Sequence, residues 1–259
     1  MMEYETLELE PRGEHVLLVR LNRPQVLNAL NTQMGHDLLD LWTRLAAEPG
    51  ASRCIVLTGS GERAFCAGAD LKERDGMSPA DWQAQHELFE RGFIAVMEFP
   101  LPVVAALNGH AFGGGLELAL CCDFIYAAAG ARFALPEVRL GIMPGGGGTQ
   151  NLARAVGERR AKELILSARQ FTADEGVAWG VFNRIGTLND ALETAEAIGA
   201  NAPLAVRQAK KSIHYGLQTD LLTGYRFEIE AYNRLVDTED RREGVRAFNE
   251  KRKPAFRGK

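Results

Sequence analysis

Two carboxylates beside glycine-rich segments are the side chains of this sequence best suited to chemistry. Glu117 stands two positions after three consecutive glycines, residues 113–115, and Glu137 opens the second such segment, EVRLGIMPGGGGTQ. Glycine backbone at a helix N-terminus leaves N–H groups unpaired, and these favour an anion or a polarised carbonyl oxygen. Because Gly114 and Glu117 are spaced i, i+3, a carbonyl bound by the glycine amide would lie near the carboxylate.

A second amide donor is expected at Ala69, in the small-residue stretch 64–69. This stretch and the glycine run each follow an apolar strand pattern, and in a parallel sheet both would lie at carboxyl strand ends, where α/β proteins bind ligands. Two N–H groups meeting there would form an oxyanion hole, in which one donor typically contributes roughly 2.7–4 kcal/mol. Glu117 and Glu137 would add acid–base catalysis, typically worth about 10²–10⁴-fold. The combination suits enolate chemistry on an acyl carbonyl, particularly addition or removal of water.

Both features also have a structural explanation, and other kinds of site are not predicted. A glycine run lets a helix pack closely on its strand, and Glu137 could be a turn or helix-cap carboxylate. The segment GGGGTQ lacks the lysine of a phosphate-binding loop, and no GxGxxG opens a helix after the first strand. The five histidines do not pair at metal-ligand spacing, so we expect no metal site.

Composition indicates an ordinary globular protein without a strong field for polyanions. The 259 residues include 30 basic and 34 acidic side chains, a net charge of −4, which favours neither nucleic acid nor membrane surfaces. The four cysteines form no CxxC pair and are expected as reduced thiols. The N-terminal residues lack the apolar core of a signal peptide, and no apolar run reaches membrane-spanning length. We therefore expect a soluble cytoplasmic protein.

Strand and helix patterns alternate before residue 200, and helices dominate after it. Strands are predicted at 6–9, 15–21, 53–58, 102–107, 123–128, 131–134 and 181–185, with the first two forming a hairpin around residues 11–13. Helices are predicted at 32–47, 81–99, from the glycine run onward, 149–155, 158–167, 172–179, 188–200, 203–214, 219–236 and 239–249. The stretch 64–69 is expected to be a loop. The pattern predicts an α/β core, residues 1–200, followed by a helical region, residues 201–259.

The sequence resembles the crotonase (enoyl-CoA hydratase/isomerase) superfamily over nearly its whole length. The similarity lies in LNRPQVLNAL, FCAGADLKE, NGHAFGGGLELALCCD, LPEVRLGIMPGGGGTQ and DRREGVRAFNEKRKPAF. The finer match, in FCAGADLKER, GGGLELAL, PGGGGTQ, KELILSAR and DLLTG, is to the methylglutaconyl-CoA hydratase-like branch. The resemblance implies a spiral of ββα units in residues 1–200. It also implies that the helices of residues 201–259 drive trimerisation, usually as a dimer of trimers.

The resemblance also implies roles for individual residues. Ala69 and Gly114 would donate to the thioester carbonyl, while Glu117 and Glu137 would hold a water and deliver its hydroxyl and a proton to C3 and C2. Which glutamate is acid and which is base stays open. Coenzyme A enters as part of the substrate, so no separate cofactor is expected. The implied substrate contacts are Arg23, Val26, Ala67, Gly68, Asp70, Leu71, Gly113 and, from a neighbouring subunit, Phe248 and Lys251.

Two glutamates favour hydration over double-bond isomerisation, because the isomerase branches typically keep one. We therefore expect an enoyl-CoA hydratase of the β-oxidation type. One alternative is hydration of 3-methylglutaconyl-CoA in leucine breakdown, with Arg74 or Arg139 binding the additional carboxylate. Another is a non-catalytic protein that binds CoA esters or RNA, although the first helix carries more acidic than basic residues. Asn151 stands where the family commonly has arginine, so a salt bridge from this position is absent.

Overall fold

Two β-sheets form the framework of the protein, and the computed structural model describes residues 3–259 of it. The strands are β1 (Leu7–Arg12), β2 (Val16–Leu21), β3 (Cys54–Gly59), β4 (Ala64–Cys66), β5 (Val103–Leu107), β6 (His110–Phe112), β7 (Phe124–Ala127), β8 (Arg132–Ala134), β9 (Phe171–Thr172) and β10 (Arg184–Ile185). The larger sheet has the order β1-β2-β3-β5-β7-β10, and the smaller has the order β4-β6-β8-β9. Strands β3, β5 and β7 of the larger sheet are each followed by a short strand of the smaller one, namely β4, β6 and β8.

The larger sheet is parallel except for the β1–β2 hairpin at its edge. Strands β3 and β5 are buried along their whole length, and Val56 pairs with Val104 in their ladder. Continuous apolar runs of this kind are typical of parallel strands covered on both faces. The sheet therefore fixes the core from which the short strands project.

Helices follow the strand pairs and complete three turns of a ββα spiral. They are α1 (Thr32–Ala47), α2 (Leu71–Arg74), α3 (Pro79–Met97), α4 (Gly114–Leu120), α5 (Gly148–Val156), α6 (Glu158–Ser167), α7 (Ala173–Trp179), α8 (Leu188–Gly199), α9 (Pro203–Gly216), α10 (Leu221–Val236) and α11 (Glu239–Asn249). Short 3-10 helices span Pro24–Val26 and Glu137–Leu140. The pairs β3–β4, β5–β6 and β7–β8 lead into α2, α4 and the second 3-10 helix. This architecture confirms the predicted α/β spiral.

The sequence pattern predicted β8 but missed the other three strands of the smaller sheet, and it misplaced some boundaries. The stretch 64–69, expected to be a loop, begins with β4, and neither β6 nor β9 was predicted, because strands of two or three residues show no periodicity. Pro11 and Arg12, which were predicted in the hairpin turn, belong to β1. The turn begins at Gly13, whose φ is +57°. The predicted strand 181–185 shortens to the two exposed residues of β10.

The last three helices expose an extensive apolar surface. Among the described residues, α9 buries none of its side chains, α10 buries Ala231 alone, and α11 buries Asp240 and Ala247. The large exposed apolar side chains of this region are Ile213, Tyr215, Leu217, Leu221, Leu222, Tyr225, Ile229, Tyr232, Val236, Val245 and Phe248. Contiguous exposed apolar surface of this kind is typical of a protein–protein interface.

No helix in residues 3–259 is both long and apolar enough to cross a membrane.

Candidate active site

Three short parallel strands bring the predicted site residues to one edge of the smaller sheet. Ala69 follows β4, Gly114 follows β6, and Glu137 follows β8. The sequence analysis correctly expected Ala69 and Gly114 at the carboxyl ends of parallel strands. Those strands are the short β4 and β6 rather than the long β3 and β5. The loops after β4 and β6 touch, since a Cβ on Gly68 (φ +96°) would lie 2.8 Å from the carbonyl oxygen of Phe112.

The amides of Ala69 and Gly114 are both free to donate into the site. Leu30 N–H donates to the Gly68 carbonyl (2.8 Å), and Asp70 N–H donates to the Leu30 carbonyl (2.9 Å). In a parallel ladder this pattern turns the intervening N–H, that of Ala69, away from Leu30. Gly114 is the first residue of α4, where an N–H has no acceptor within the helix. Both residues line the same cavity, as the two donors of an oxyanion hole must.

Glu117 is a buried carboxylate held by backbone amides. Its side chain is 4% exposed. Its Oε1 accepts hydrogen bonds from the N–H groups of Gly146 and Gly148, both at 2.8 Å. Burial raises the pKa of Glu117 above its usual value, while the amides of Gly148 and Gly146 oppose that rise. The two amides thus favour the ionised form of the carboxyl group, against the effect of burial.

Glu137 occupies a contrasting environment. Its two carboxyl oxygens are buried and have no hydrogen-bond partner in the described part of the chain. Burial raises its pKa to about 7, and the nearby charge of Glu117 raises it as well. A Cβ on Gly113, whose φ is +52°, would lie 2.9 Å from Glu137 Oε1, so only glycine fits there. Paired carboxyl groups whose environments differ in this way are suited to separate acid and base roles.

The two glutamates face a cavity of about 750 Å³, a volume within the usual range of small-molecule sites. Trp82, Phe89 and Phe93 of α3 form an apolar wall, and residues 144–147 form another side. The predicted site residues that line the cavity are Ala67, Gly68, Ala69, Leu71, Gly113, Gly114, Glu117 and Glu137. The structure therefore brings together the four predicted catalytic residues and four of the nine predicted substrate contacts.

The other predicted contacts lie outside the cavity lining. Arg23 forms an ion pair with Asp70 (3.0 Å) and donates to the Ala29 carbonyl (2.6 Å), so it fixes the loop that carries Ala69. Val26 is half-buried in the first 3-10 helix. Phe248 is exposed on α11 and Lys251 follows that helix, and neither lines the cavity of its own chain. A contribution of these two residues to a neighbouring subunit stays a prediction.

Several residues of the site were not predicted from the sequence. The amides of Gly146 and Gly148 lie 29 and 31 residues beyond the carboxylate that they bind, a separation at which no local pattern signals contact. His86 was not predicted as a site residue, and it lines the cavity and pairs with Glu90 at 3.0 Å. The sequence around His86 contains no motif that would have predicted a role in the site.

Arg74, Arg139 and Asn151, which the sequence analysis also discussed, lie at different positions relative to the cavity. Arg74 lies in the cavity wall, whereas Arg139 is exposed and outside the lining. The Asn151 side chain approaches two sulfur atoms and takes part in no salt bridge within residues 3–259. In the same range no three His, Cys, Asp or Glu side chains are grouped to hold a metal ion.

The fold and site define an α/β protein that presents two backbone amides and two buried carboxyl groups to one cavity. The family model of enoyl-CoA hydratase/isomerase matches residues 12–259, and the chain belongs to this family. The predicted superfamily is thereby confirmed.

Individual relatives agree with this assignment over nearly their full length. The chain is 45% identical over 251 residues to "Putative enoyl-CoA hydratase/isomerase YngF" of Bacillus subtilis, covering 95% of this chain and 96% of the relative. It is 40% identical over 256 residues to the "Short-chain-enoyl-CoA hydratase" of Clostridium acetobutylicum, covering 97% of each. The crystal structure of an enoyl-CoA hydratase from Bacillus anthracis superposes with a TM-score of 0.96 at 41% identity, covering 98% of this chain and all of that one.

Proposed function

We propose that this protein is an enoyl-CoA hydratase, which adds water reversibly across the C2–C3 double bond of a 2-enoyl-CoA thioester. The observation that carries the proposal is the pair Glu117 and Glu137, one held by two amides and the other without a hydrogen-bond partner, beside two free backbone donors. Relatives named as enoyl-CoA hydratases, at 38–45% identity over most of the chain, support it.

The thioester carbonyl accepts hydrogen bonds from the amides of Ala69 and Gly114. Attack on C3 moves the electron pair of the double bond onto this oxygen, so the negative charge develops where the two N–H groups already point. Fixed donors in a buried site stabilise such charge without having to reorganise. Polarisation of the carbonyl also makes C3 electrophilic.

Glu117 acts as the base and Glu137 as the acid in the hydration direction. The ionised Glu117 takes a proton from water as the water oxygen bonds to C3. Glu137, which its burial keeps protonated up to about pH 7, gives its proton to C2 as the enolate collapses. The proton left on Glu117 returns to Glu137 through solvent, which restores the starting state. Dehydration follows the same steps in reverse.

The proposal is tested by following the absorbance of the enoyl thioester with crotonyl-CoA and longer 2-enoyl-CoA substrates. The expected result is loss of absorbance with formation of the 3-hydroxyacyl-CoA. Loss of conjugation with formation of a 3-enoyl-CoA would instead show an isomerase, and constant absorbance would overturn the proposal.

A second candidate, hydration of an acyl group that carries its own carboxylate, is favoured by Arg74. This half-buried guanidinium lies over the Trp82 ring (4.3 Å) and donates from Nε to Gln85 (2.7 Å). No carboxylate of residues 3–259 forms a salt bridge with it. An arginine held in place in this way can bind a carboxylate through its remaining N–H groups. The 3-methylglutaconyl group of the sequence-based alternative fits this chemistry.

Arg74→Met tests this candidate against crotonyl-CoA and 3-methylglutaconyl-CoA. If Arg74 binds the second carboxylate, the ratio of kcat/KM for the carboxylated substrate to that for crotonyl-CoA falls about 10- to 100-fold, because a charge-assisted hydrogen bond is lost. Arg139→Met removes an equal charge outside the cavity and is the matched control. An unchanged ratio in Arg74→Met would remove this candidate and leave the hydratase proposal standing.

We propose in addition that residues 201–259 are an oligomerisation region, which forms a homotrimer or a dimer of trimers. The many exposed apolar side chains of α9–α11 support this, since exposed apolar residues concentrated in one region are typical of a subunit interface. Light scattering of the full chain is expected to give three or six times the mass of 28.4 kDa. A monomeric mass would contradict the assignment.

We propose further that the protein acts in the cytoplasm, in β-oxidation, and without a nucleic-acid partner. The four cysteines are free thiols, which suits a reducing compartment such as the cytoplasm. A role in β-oxidation would follow from hydration of straight-chain 2-enoyl-CoA substrates. The balance of 30 basic and 34 acidic residues supports the absence of a nucleic-acid partner.

A further inference from the structure

The glycine loop that binds Glu117, residues 145–148, is itself held by side chains outside the cavity. Its Gly146 and Gly148 amides set the environment of the proposed base, so a small displacement of the loop would change that environment. Glycine backbone has no side chain of its own to fix it and is conformationally permissive. The groups that restrain this loop therefore act on Glu117 through it.

Cys121 contacts the same loop residue that Glu117 contacts. Cys121 stands one helical turn beyond Glu117, and its Sγ lies 3.8 Å from the carbonyl oxygen of Gly146. Burial raises the pKa of the Cys121 thiol, so it stays protonated and can donate to this carbonyl. Gly146 is thus held at its N–H by Glu117 and at its C=O by Cys121.

Asn151 holds the thiol from the other side. Its Nδ2 lies 3.8 Å from Cys121 Sγ and 3.6 Å from Met97 Sδ. Its backbone N–H also donates to the Gly147 carbonyl (2.8 Å), which ties the same asparagine to the loop. The sulfur of Cys121 therefore accepts from Asn151 and donates to Gly146. Neither side chain lines the cavity, and the mechanism uses neither directly.

We infer that Cys121 and Asn151 are positioning residues, which hold the Gly146 peptide so that its N–H stays on the Glu117 carboxylate. The inference rests on the proposed function for its kinetic consequence, since Glu117 acts there as the base. Loss of either side chain lets the Gly146 amide move away from Glu117. A hydrogen bond to the ionised form lowers a carboxyl pKa, so its weakening raises the pKa of Glu117.

The other ionisable groups that face Glu117 are left in place by these substitutions. His86 and Glu90 approach from α3, and Glu137 approaches from the 3-10 helix that follows β8. If removal of the neutral Cys121 thiol shifts the pKa of Glu117, the cause is therefore a displacement of the glycine loop rather than a change of charge nearby.

The kinetic test compares Cys121→Ala with Cys122→Ala. The Cys122 thiol approaches the Leu118 carbonyl of its own helix (3.6 Å) and not the loop, so it is a matched control. For Cys121→Ala we expect the acid limb of the kcat profile with crotonyl-CoA to move up by about half a pH unit. We also expect kcat to fall about 2- to 5-fold with little change in KM, because the loss corresponds to one weak hydrogen bond. Cys121→Ser, which keeps a donor, is expected to restore part of the profile.

Asn151→Leu and the double variant test whether the two side chains act as one unit. Each single variant is expected to shift the acid limb in the same direction. The double variant Cys121→Ala/Asn151→Leu is expected to shift it no more than the larger single effect, because coupled residues are not additive. Fully additive shifts of the acid limb would contradict a coupled series of contacts from Asn151 through Cys121 to Gly146.

A direct titration separates this inference from the hydratase proposal. The pKa of Glu117 can be measured by difference infrared spectroscopy in a Glu137→Gln background, which needs no turnover. A raised Glu117 pKa in Cys121→Ala, but not in Cys122→Ala, supports the inference whether or not crotonyl-CoA is hydrated. Equal effects of the two variants, or unchanged titration in both, would show that Cys121 only fills space and would overturn it.

Discussion

Glu117→Gln and Glu137→Gln are each expected to lower kcat for hydration of crotonyl-CoA by about 10²–10⁴-fold, the usual contribution of a positioned acid or base. Each substitution removes one of the two groups that move protons and preserves the shape of the side chain. Glutamine at 117 keeps an oxygen that can still accept from the Gly146 and Gly148 amides. The loss therefore measures proton transfer rather than collapse of the loop.

Binding of a non-reacting thioester provides the control for these variants. Butyryl-CoA lacks the double bond, and calorimetry should give a Kd within a few-fold of the unsubstituted protein for both. Glu90→Gln removes a third carboxylate of the cavity lining, one that pairs with His86 and has no part in the mechanism, and should retain turnover. Turnover retained in either Glu117→Gln or Glu137→Gln would contradict the two-carboxylate mechanism.

The same assignment determines the pH dependence of the unsubstituted protein. Glu137 must carry a proton to serve as the acid, and its pKa is raised to about 7 by burial. Hydration is therefore expected to decline as the pH rises through about 7, when Glu137 ionises. Opposite ionisation requirements for the two groups give a bell-shaped profile.

Gly114→Pro is expected to lower kcat/KM by about 10²–10³-fold, because it removes one of the two oxyanion donors. Proline lacks the N–H but fits the first position of a helix, where that N–H has no helical acceptor. The substitution should therefore leave α4 formed. The effect is expected mainly in the chemical step, where the negative charge on the thioester oxygen is greatest.

Gly114→Ala is the matched control for the proline variant. A Cβ at this position would lie 3.2 Å from Leu30 Cδ1, a side-chain atom that can move by a few tenths of an ångström. The alanine variant keeps its N–H and should lose less than about 10-fold. Equal losses in the two variants would point to steric disturbance and would count against the Gly114 amide as a donor.

The general fold and the chemical centre could be predicted from the sequence because both have local signatures. Apolar runs at 53–58 and 102–107 predicted the parallel strands that the structure shows as β3 and β5. The glycine run followed by Glu117 predicted α4 and its amide donor, because spacing along one helix is a local property. The glycine-rich segments also indicated Glu117 and Glu137 as an acid–base pair, and the resemblance then implied that the two hold one water.

The parts that could not be predicted depend on contacts between distant segments. The short strands β4 and β6 form because they pair with each other through backbone hydrogen bonds. A segment of three residues is too short to show a strand periodicity in the sequence. The ion pair between Arg23 and Asp70, which lie 47 residues apart, supports the Ala69 loop and had no local signature. A contact of Arg23 with the substrate stays a prediction. The roles of the two glutamates likewise depend on amides from a distant loop.

Hydration of crotonyl-CoA in H₂¹⁸O, followed by mass spectrometry of the thioester product, tests the central claim most directly. The two-glutamate mechanism predicts 3-hydroxybutyryl-CoA with one ¹⁸O at C3, formed by the unsubstituted protein and lost in both Glu117→Gln and Glu137→Gln. A product without ¹⁸O at C3, or the labelled product formed at an undiminished rate by either variant, would contradict it.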